Sequence, residues 1–252
     1  MKLESSRVMV TGAASGMGRE FALQLARSGA RVAAVDMDDA KLAALVEEGG
    51  GRIVSYRCDV SDEAAVVETM AAASAAFDGL DGLVNNAGIF RDGLLVRPDK
   101  ETGTVKRMTM AQWNAVIAVD LTGPFLCTRE FAAQVIERKI PTSVIVNVSS
   151  VARHGNPGQS NYSAAKAGLV ADTKVWGVEL ARYGIRVGAV APGFVDTPIL
   201  QGMRPEVLGK MLEGVPLRRA ASTTEIWQAV RFIFECDYFT SRCIDVDGGL
   251  TI

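Results

Sequence analysis

The 252-residue sequence predicts an α/β fold: one domain on a doubly wound, parallel, seven-stranded sheet with helices on both faces. Three observations predict it. Short runs rich in Val, Ile and Ala lack the alternation of a half-exposed strand, so both of their faces are covered. Longer amphipathic or Ala-rich stretches of helical length stand between them, the pattern of strand–helix–strand units. No linker, internal repeat or low-complexity tract divides the chain, and 48% of it is hydrophobic, enough for one large core over residues 1–252.

In order, residues 8–10 read as a strand, followed by a glycine-rich turn and a helix through Arg19 to Arg27 that Gly29 closes. Residues 31–35 form the second strand and 39–48 a helix rich in Ala and Leu. A third strand covers 53–58, and Ser61 is placed to cap a helix over 63–77. Leu83 and Val84 begin the fourth strand, 144–148 make the fifth, 187–190 the sixth and 243–246 the seventh. The polar stretch 97–107, with Pro98 and Gly103, predicts an exposed loop or hairpin.

The bulk properties exclude several functions. The net charge is −2 and no basic run occurs, which argues against a nucleic-acid partner. Four cysteines, Cys58, Cys127, Cys236 and Cys243, form no C-x-x-C pair, and His154 is the only histidine, so no metal site is expected. No stretch approaches the roughly 18 apolar residues of a membrane helix, and the polar opening is unlike a signal peptide. A cytoplasmic protein free of membrane is the expectation.

After the first strand stands Thr11-Gly12-Ala13-Ala14-Ser15-Gly16-Met17-Gly18. Such glycines let a backbone turn tightly against a pyrophosphate, and the following helix aims its first N–H groups at the anion. Asp36 ends the next strand, where a carboxylate accepts hydrogen bonds from a ribose 2′-hydroxyl and repels a 2′-phosphate. That selects NAD(H) over NADP(H); a plain turn aspartate is the simpler alternative, since Asp38 and Asp39 follow.

The glycine spacing departs from the usual dinucleotide fingerprint and resembles the short-chain dehydrogenase/reductase family. Further motifs of that family stand in order: Asn85-Asn86-Ala87-Gly88, Asn147-Val148-Ser149-Ser150, Tyr162-Ser163-Ala164-Ala165-Lys166, Pro192-Gly193 with Thr197 beyond, and Asp247-Gly248-Gly249. The resemblance spans the whole chain and is greatest to the 3-oxoacyl-carrier-protein reductase-like group. It implies a Rossmann-like fold and a hydride exchanged between NAD(H) and a secondary alcohol or its ketone, such as a 3-oxoacyl or cyclic substrate. It also implies cofactor contacts from Gly12, Ser15, Gly16, Met17, Gly18, Asp36, Asn86, Ala87, Gly88, Tyr162, Lys166, Pro192 and Gly193. Asp59 and Val60 would face the adenine, and the Val195 backbone and Thr197 hydroxyl the carboxamide.

The chemistry can be argued independently. Reducing a ketone leaves an alkoxide that needs a proton. A tyrosine can supply it, although its ordinary pKa near ~10 suits neutral pH poorly. Lys166 follows Tyr162 by four residues, on the same helical face, and a cation there lowers the tyrosine's pKa. A serine must also hold the substrate oxygen: counting back from the tyrosine favours Ser149, and the motif's second serine favours Ser150, our choice.

One position departs from the family. Asp120 stands where an asparagine is usual, an asparagine thought to bend its helix and offer a backbone carbonyl to a proton relay. A weakly active or non-catalytic cofactor-binding regulator or scaffold is therefore the alternative function. His154, just past the serines, could touch substrate or be an ordinary loop residue. Residues 194–216 are expected to form a substrate lid, with Ile199, Leu200, Met203, Leu208, Met211 and Leu212 supplying apolar surface. The resemblance further implies a homotetramer built on the helices around 110–134 and 162–182.

Overall fold

The computed structural model describes residues 1–251, apart from the side chain of Ile199. β1 (Arg7–Thr11) leads through the glycine turn to α1 (Gly16–Arg27), β2 (Arg31–Asp36), α2 (Asp39–Glu48), β3 (Ile53–Arg57), α3 (Glu63–Phe77) and β4 (Gly82–Asn85). The 97–107 stretch is a hairpin: β5 (Val96–Pro98) pairs antiparallel with β6 (Val105–Arg107). Then come α4 (Met110–Ile117), a π-helical turn (Ala118–Thr122), α5 (Gly123–Glu137), β7 (Ser143–Val148), a 3-10 turn (Val151–His154) and α6 (Ser160–Glu179). The chain continues through β8 (Ile185–Pro192), α7 (Pro198–Gln201), α8 (Pro205–Glu213), α9 (Thr223–Glu235) and β9 (Arg242–Val246).

The main sheet has seven strands in the order β3-β2-β1-β4-β7-β8-β9, and every pairing in it is parallel. Side chains alternate between its faces although both faces are apolar. Val8, Val10, Val32, Ala34, Val144 and Val146 meet Phe21, Leu25, Leu42, Leu45, Trp227 and Phe234 on one side. Met9, Ala33, Val35, Leu83 and Ile145 meet Val66, Met70, Phe77, Phe131 and Val135 on the other. This is why the strands read as unbroken apolar runs. Chain direction of growth reverses between β1 and β4, so a crevice opens beyond their carboxyl ends.

One expected cap is corrected. Asp62, not Ser61, caps α3, its carboxylate accepting from the N–H groups of Ala64 and Ala65. Ser61 instead turns its hydroxyl onto Asp59, at 2.7 Å. Both residue types cap helices well, and Asp62 satisfies two orphan donors where one hydroxyl satisfies one. Among the described residues no helix is long and apolar enough to cross a membrane.

Candidate active site

The crevice is built at the ends of β1, β2, β4, β7 and β8. After β1, Gly12 and Gly16 take left-handed φ values of +65° and +54°, open to glycine at little cost. A Cβ on Gly18 would stand 2.1 Å from the Gly12 carbonyl oxygen, so α1 and the turn touch backbone to backbone. No side chain caps the start of α1 at Ser15, which leaves its first N–H groups facing the crevice as an anion cradle. Thr197 reaches in from beyond β8: a Cβ on Gly16 would lie 3.5 Å from its methyl group.

The loop after β4 is tied to this turn. Thr11 Oγ1 accepts from the N–H groups of Asn86 at 3.0 Å and Ala87 at 3.1 Å. The Asn86 amide donates to the carbonyls of Thr11 at 3.0 Å and Gly12 at 3.2 Å. Asn86 thus holds the floor of the trough together. At the far side, Gly193 is clamped to β9 through its N–H and the Val246 carbonyl, 3.0 Å, and Val195 bridges to Ala221. Val60 is buried beside Gly123, where a Cβ would come within 2.9 Å of its side chain. Asp59 is engaged with the N–H and hydroxyl of Ser61.

Asp36 is anchored at the turn. Its Oδ2 accepts from the Ala14 N–H at 3.0 Å, and Oδ1 accepts from Met37 and Asp38 at 2.7 and 3.2 Å. Sequence reading missed Arg57, which lies in register with Asp36 on β3. Its guanidinium is directed to Asp39, at 3.3 Å. Arg19 pairs with Glu48, and Lys41, which feels the Asp36 charge, pairs with Asp38 at 2.7 Å.

The reactive groups converge from β7, the π turn and α6. Tyr162 is 8% exposed and Lys166 3%. The Lys166 ammonium lies 5.4 Å from the Tyr162 ring centroid, as the four-residue spacing requires. It donates to the Val148 carbonyl at 3.1 Å and stands 3.1 Å from Asp120 Oδ2. Asp120 is fully buried, and its Oδ1 accepts from the Ile89 N–H at 2.9 Å. The structure separates the two serines. The Ser149 hydroxyl donates to the Lys166 carbonyl at 2.9 Å inside the core, whereas Ser150 is half-buried, caps the 3-10 turn and stands close enough to help lower the proton affinity of Tyr162.

Electrostatics correct one expectation. Burial pushes the Tyr162 hydroxyl above its ordinary value; Lys166 pulls it down, and the Asp120 charge pushes it up again. Lys166 does not leave the phenol below its usual range. Burial works against the Lys166 charge, and Asp120 and Tyr162 more than offset it, so the ammonium is held above its ordinary value. Burial raises Asp120, opposed by Lys166 and the Ile89 N–H.

Sequence reading missed Asn161 and Phe90. Asn161, fully buried, donates to the carbonyls of Arg91 at 3.1 Å and Gln112 at 3.0 Å and accepts from the Tyr162 N–H. The Phe90 ring packs on Tyr162 with centroids 4.6 Å apart. No motif marks either. His154 is exposed at the end of the 3-10 turn. Among the described residues no cluster of His, Cys, Asp or Glu is arranged to hold a metal ion.

Residues 12–251 match the family model described as Enoyl-(Acyl carrier protein) reductase. The chain is 40% identical to a 3-oxoacyl-[acyl-carrier-protein] reductase of Thermotoga maritima over the full length of both. It is 36% identical to a reductase of the same description from Synechocystis, covering 99% of this chain and 98% of that one. A (3R)-3-hydroxyacyl-CoA dehydrogenase of Canis lupus familiaris is also 36% identical, with the same coverage.

Proposed function

The chain belongs to the short-chain dehydrogenase/reductase family, and on that premise we propose that it interconverts a secondary alcohol and its ketone with NAD(H). The observation that carries this is the pairing of buried Tyr162 and Lys166, with half-buried Ser150 beside them, in the crevice that the glycine turn opens. An oxidoreductase of this family uses a nicotinamide cofactor, and the bare backbone of Gly12, Gly16 and Gly18 at the start of α1 fits its pyrophosphate. Asp36 and Thr197 would meet the ribose and the carboxamide. Asp36 favours NAD(H), because a 2′-phosphate would bring like charges together beside it. The relatives' names support a 3-oxoacyl substrate, with a cyclic ketone as the other candidate.

When bound, the cofactor supplies or takes the hydride at the carbonyl carbon. The Ser150 and Tyr162 hydroxyls hold the carbonyl oxygen. As charge develops there, Tyr162 gives up its proton, and the product is the alcohol. In oxidation Tyr162 takes the proton back. Lys166 stabilises the phenolate and would hold the ribose of the cofactor. Ser149 supports the helix that carries both. Residues 194–216 act as a lid: none of α8 is buried, and Met203 is exposed. The site and lid lie on one domain.

The test is NADH oxidation against a ketone panel with Tyr162→Phe. Turnover falls by about a hundredfold or more while NADH binding, read by fluorescence, stays near normal. Lys166→Ala lowers both. Retention of most turnover by Tyr162→Phe refutes the tyrosine as acid. One observation favours a second reading, a weakly active or non-catalytic cofactor-binding protein: Asp120 engages the Lys166 ammonium. NADH binding without turnover of any ketone by the natural protein selects that reading.

We also propose a homotetramer. Val175 and Val178 on α6 and Phe125 and Ile136 on α5 are exposed, more apolar surface than one core face requires. Light scattering that finds a monomer at micromolar concentration overturns it. The four free cysteines suit a reducing, cytoplasmic compartment.

A further inference from the structure

We propose that Phe90 is a specificity-determining wall of the carbonyl site, selecting substrates that carry a planar unsaturated group on the reacting carbon, an aryl ketone being the simplest. The inference rests on Tyr162 being the proton donor. Phe90 packs on the Tyr162 ring at 4.6 Å between centroids with a 41° tilt, yet it remains 38% exposed. A large ring therefore lies partly against the proton donor and leaves the rest of its surface to whatever approaches that donor.

The ring is not on a loose loop. Residues on both sides of it are tied to groups that also build the site. The Ile89 N–H donates to Asp120 at 2.9 Å. The Arg91 carbonyl accepts from Asn161, whose own Oδ1 holds the Tyr162 N–H. Asp92 accepts from Gln159 at 2.9 Å, and the Gly93 N–H donates to the Gly158 carbonyl at 2.8 Å. Anchors at four of the five residues 89–93, on either side of Phe90, fix the ring relative to the phenol and spare the entropy of ordering it on binding. The neighbouring loop carries glycine at 155 and 158, and a Cβ at either would meet nothing within 4 Å. Space beside the platform is open.

Geometry sets what this wall recognises. The substrate oxygen must come within about 2.6–3.2 Å of the Tyr162 and Ser150 hydroxyls. The carbon it belongs to then sits at the edge of the tyrosine ring, and a substituent on that side lies against Phe90. A flat π-system there makes offset or edge-to-face contact with two rings, whereas a puckered saturated group keeps only the area term.

The experiment compares acetophenone with cyclohexyl methyl ketone, equal in carbon count, as the ratio of their kcat/KM values with NADH. Comparing variants cancels the intrinsic reactivity difference between the ketones. Phe90→Ala and Phe90→Leu each lower the aryl/cyclohexyl ratio by about tenfold, and Phe90→Trp keeps it. In parallel, saturation-transfer NMR follows acetophenone binding to the protein in the presence of NAD⁺, a readout without turnover. Binding is seen in the natural protein and Phe90→Trp and lost in Phe90→Ala. An unchanged ratio in both Ala and Leu variants of an active enzyme overturns the role of Phe90 and leaves the dehydrogenase reading intact. Absence of turnover of every ketone tested sinks the dehydrogenase reading and the selectivity with it, an outcome distinct from an unchanged ratio in an active enzyme. Absence of binding in the natural protein overturns the wall.

Discussion

Replacing Asp120 by asparagine removes one charge from a buried cluster and keeps its shape. The asparagine oxygen can still accept from the Ile89 N–H, as Asp120 Oδ1 does at 2.9 Å. What is lost is the anion 3.1 Å from the Lys166 ammonium. That ammonium, 5.4 Å from the Tyr162 ring centroid, favours the phenolate by about 3 kcal/mol at an effective dielectric constant of 20. The two separations laid end to end put the carboxylate at most about 8.5 Å from the same centroid, a distance at which it disfavours the phenolate by about 2 kcal/mol. Asp120 thus offsets part of what Lys166 supplies. Without it, the coupled Tyr162–Lys166 pair carries one more positive charge and releases a proton more readily. Loss of the carboxylate also leaves burial to weaken the lysine's own hold on its proton, so both effects point the same way.

The predicted shift of the pH profile is about one unit toward acid. The assay is kcat/KM for oxidation of a secondary alcohol from roughly pH 6 to pH 10, spanning the ordinary tyrosine value. At neutral pH the Asp120→Asn enzyme matches or exceeds the natural one. A structural role alone would lower thermal stability, as stranding a buried ammonium does by roughly 3–5 kcal/mol before relaxation, but would not move the profile. An unmoved profile, or one displaced toward alkali, refutes the electrostatic reasoning.

Two further predictions concern the cofactor trough and the core. Asp36→Ala lowers the ratio of catalytic efficiencies with NADH and NADPH by about tenfold or more, since it removes the only carboxylate bonded to the Ala14 N–H of the turn; comparable efficiency with both cofactors in the natural protein would contradict the NAD(H) assignment. Burial pushes the Cys127 thiol up to about 12 and Cys243 up to about 11, and raises Cys58, so Ellman's reagent at mildly alkaline pH labels Cys236 first, Cys243, equally half-buried, more slowly, and buried Cys58 and Cys127 only on unfolding; rapid native labelling of Cys127 would mean that α5 does not pack as described.

Strand and helix existence was legible because it rests on local periodicity, and the seven predicted strands all stand in the sheet with ends moved by one or two residues. The glycine turn, Asp36 and the Tyr162–Lys166 pair were legible for a related reason: each is a short-range pattern with a mechanical cause. Choices between neighbours were harder. Ser149 and Ser150 end one strand, where successive side chains point to opposite faces. Only the packing of α6 shows that Ser149 is engaged by the Lys166 carbonyl in the core while Ser150 stays half-buried on the Tyr162 side. The pKa of Tyr162 was misjudged because helical spacing reveals the lysine on the same helix and hides both burial and the carboxylate from another element.

That carboxylate arrives by a device with no periodic signature. The run from Met110 to Glu137 is interrupted by the π turn, in which the Gly123 N–H reaches the Ala118 carbonyl. A π turn inserts one residue into the helical register, so side chains on either side no longer share one stripe. Val119 packs into the core under α3 and α5, and Leu121 packs with the cluster around Tyr162. Asp120 is left between them, fully buried, with Lys166 and the Ile89 N–H as its partners. Gly123 completes the fit, because a Cβ there would collide with Val60. A regular α-helix would carry Asp120 away from this point, and the lysine would then keep its charge for the tyrosine alone. The turn therefore couples the backbone of α4 and α5 to the proton affinity of Tyr162, a link that neither the tyrosine motif nor the helix pattern contains by itself.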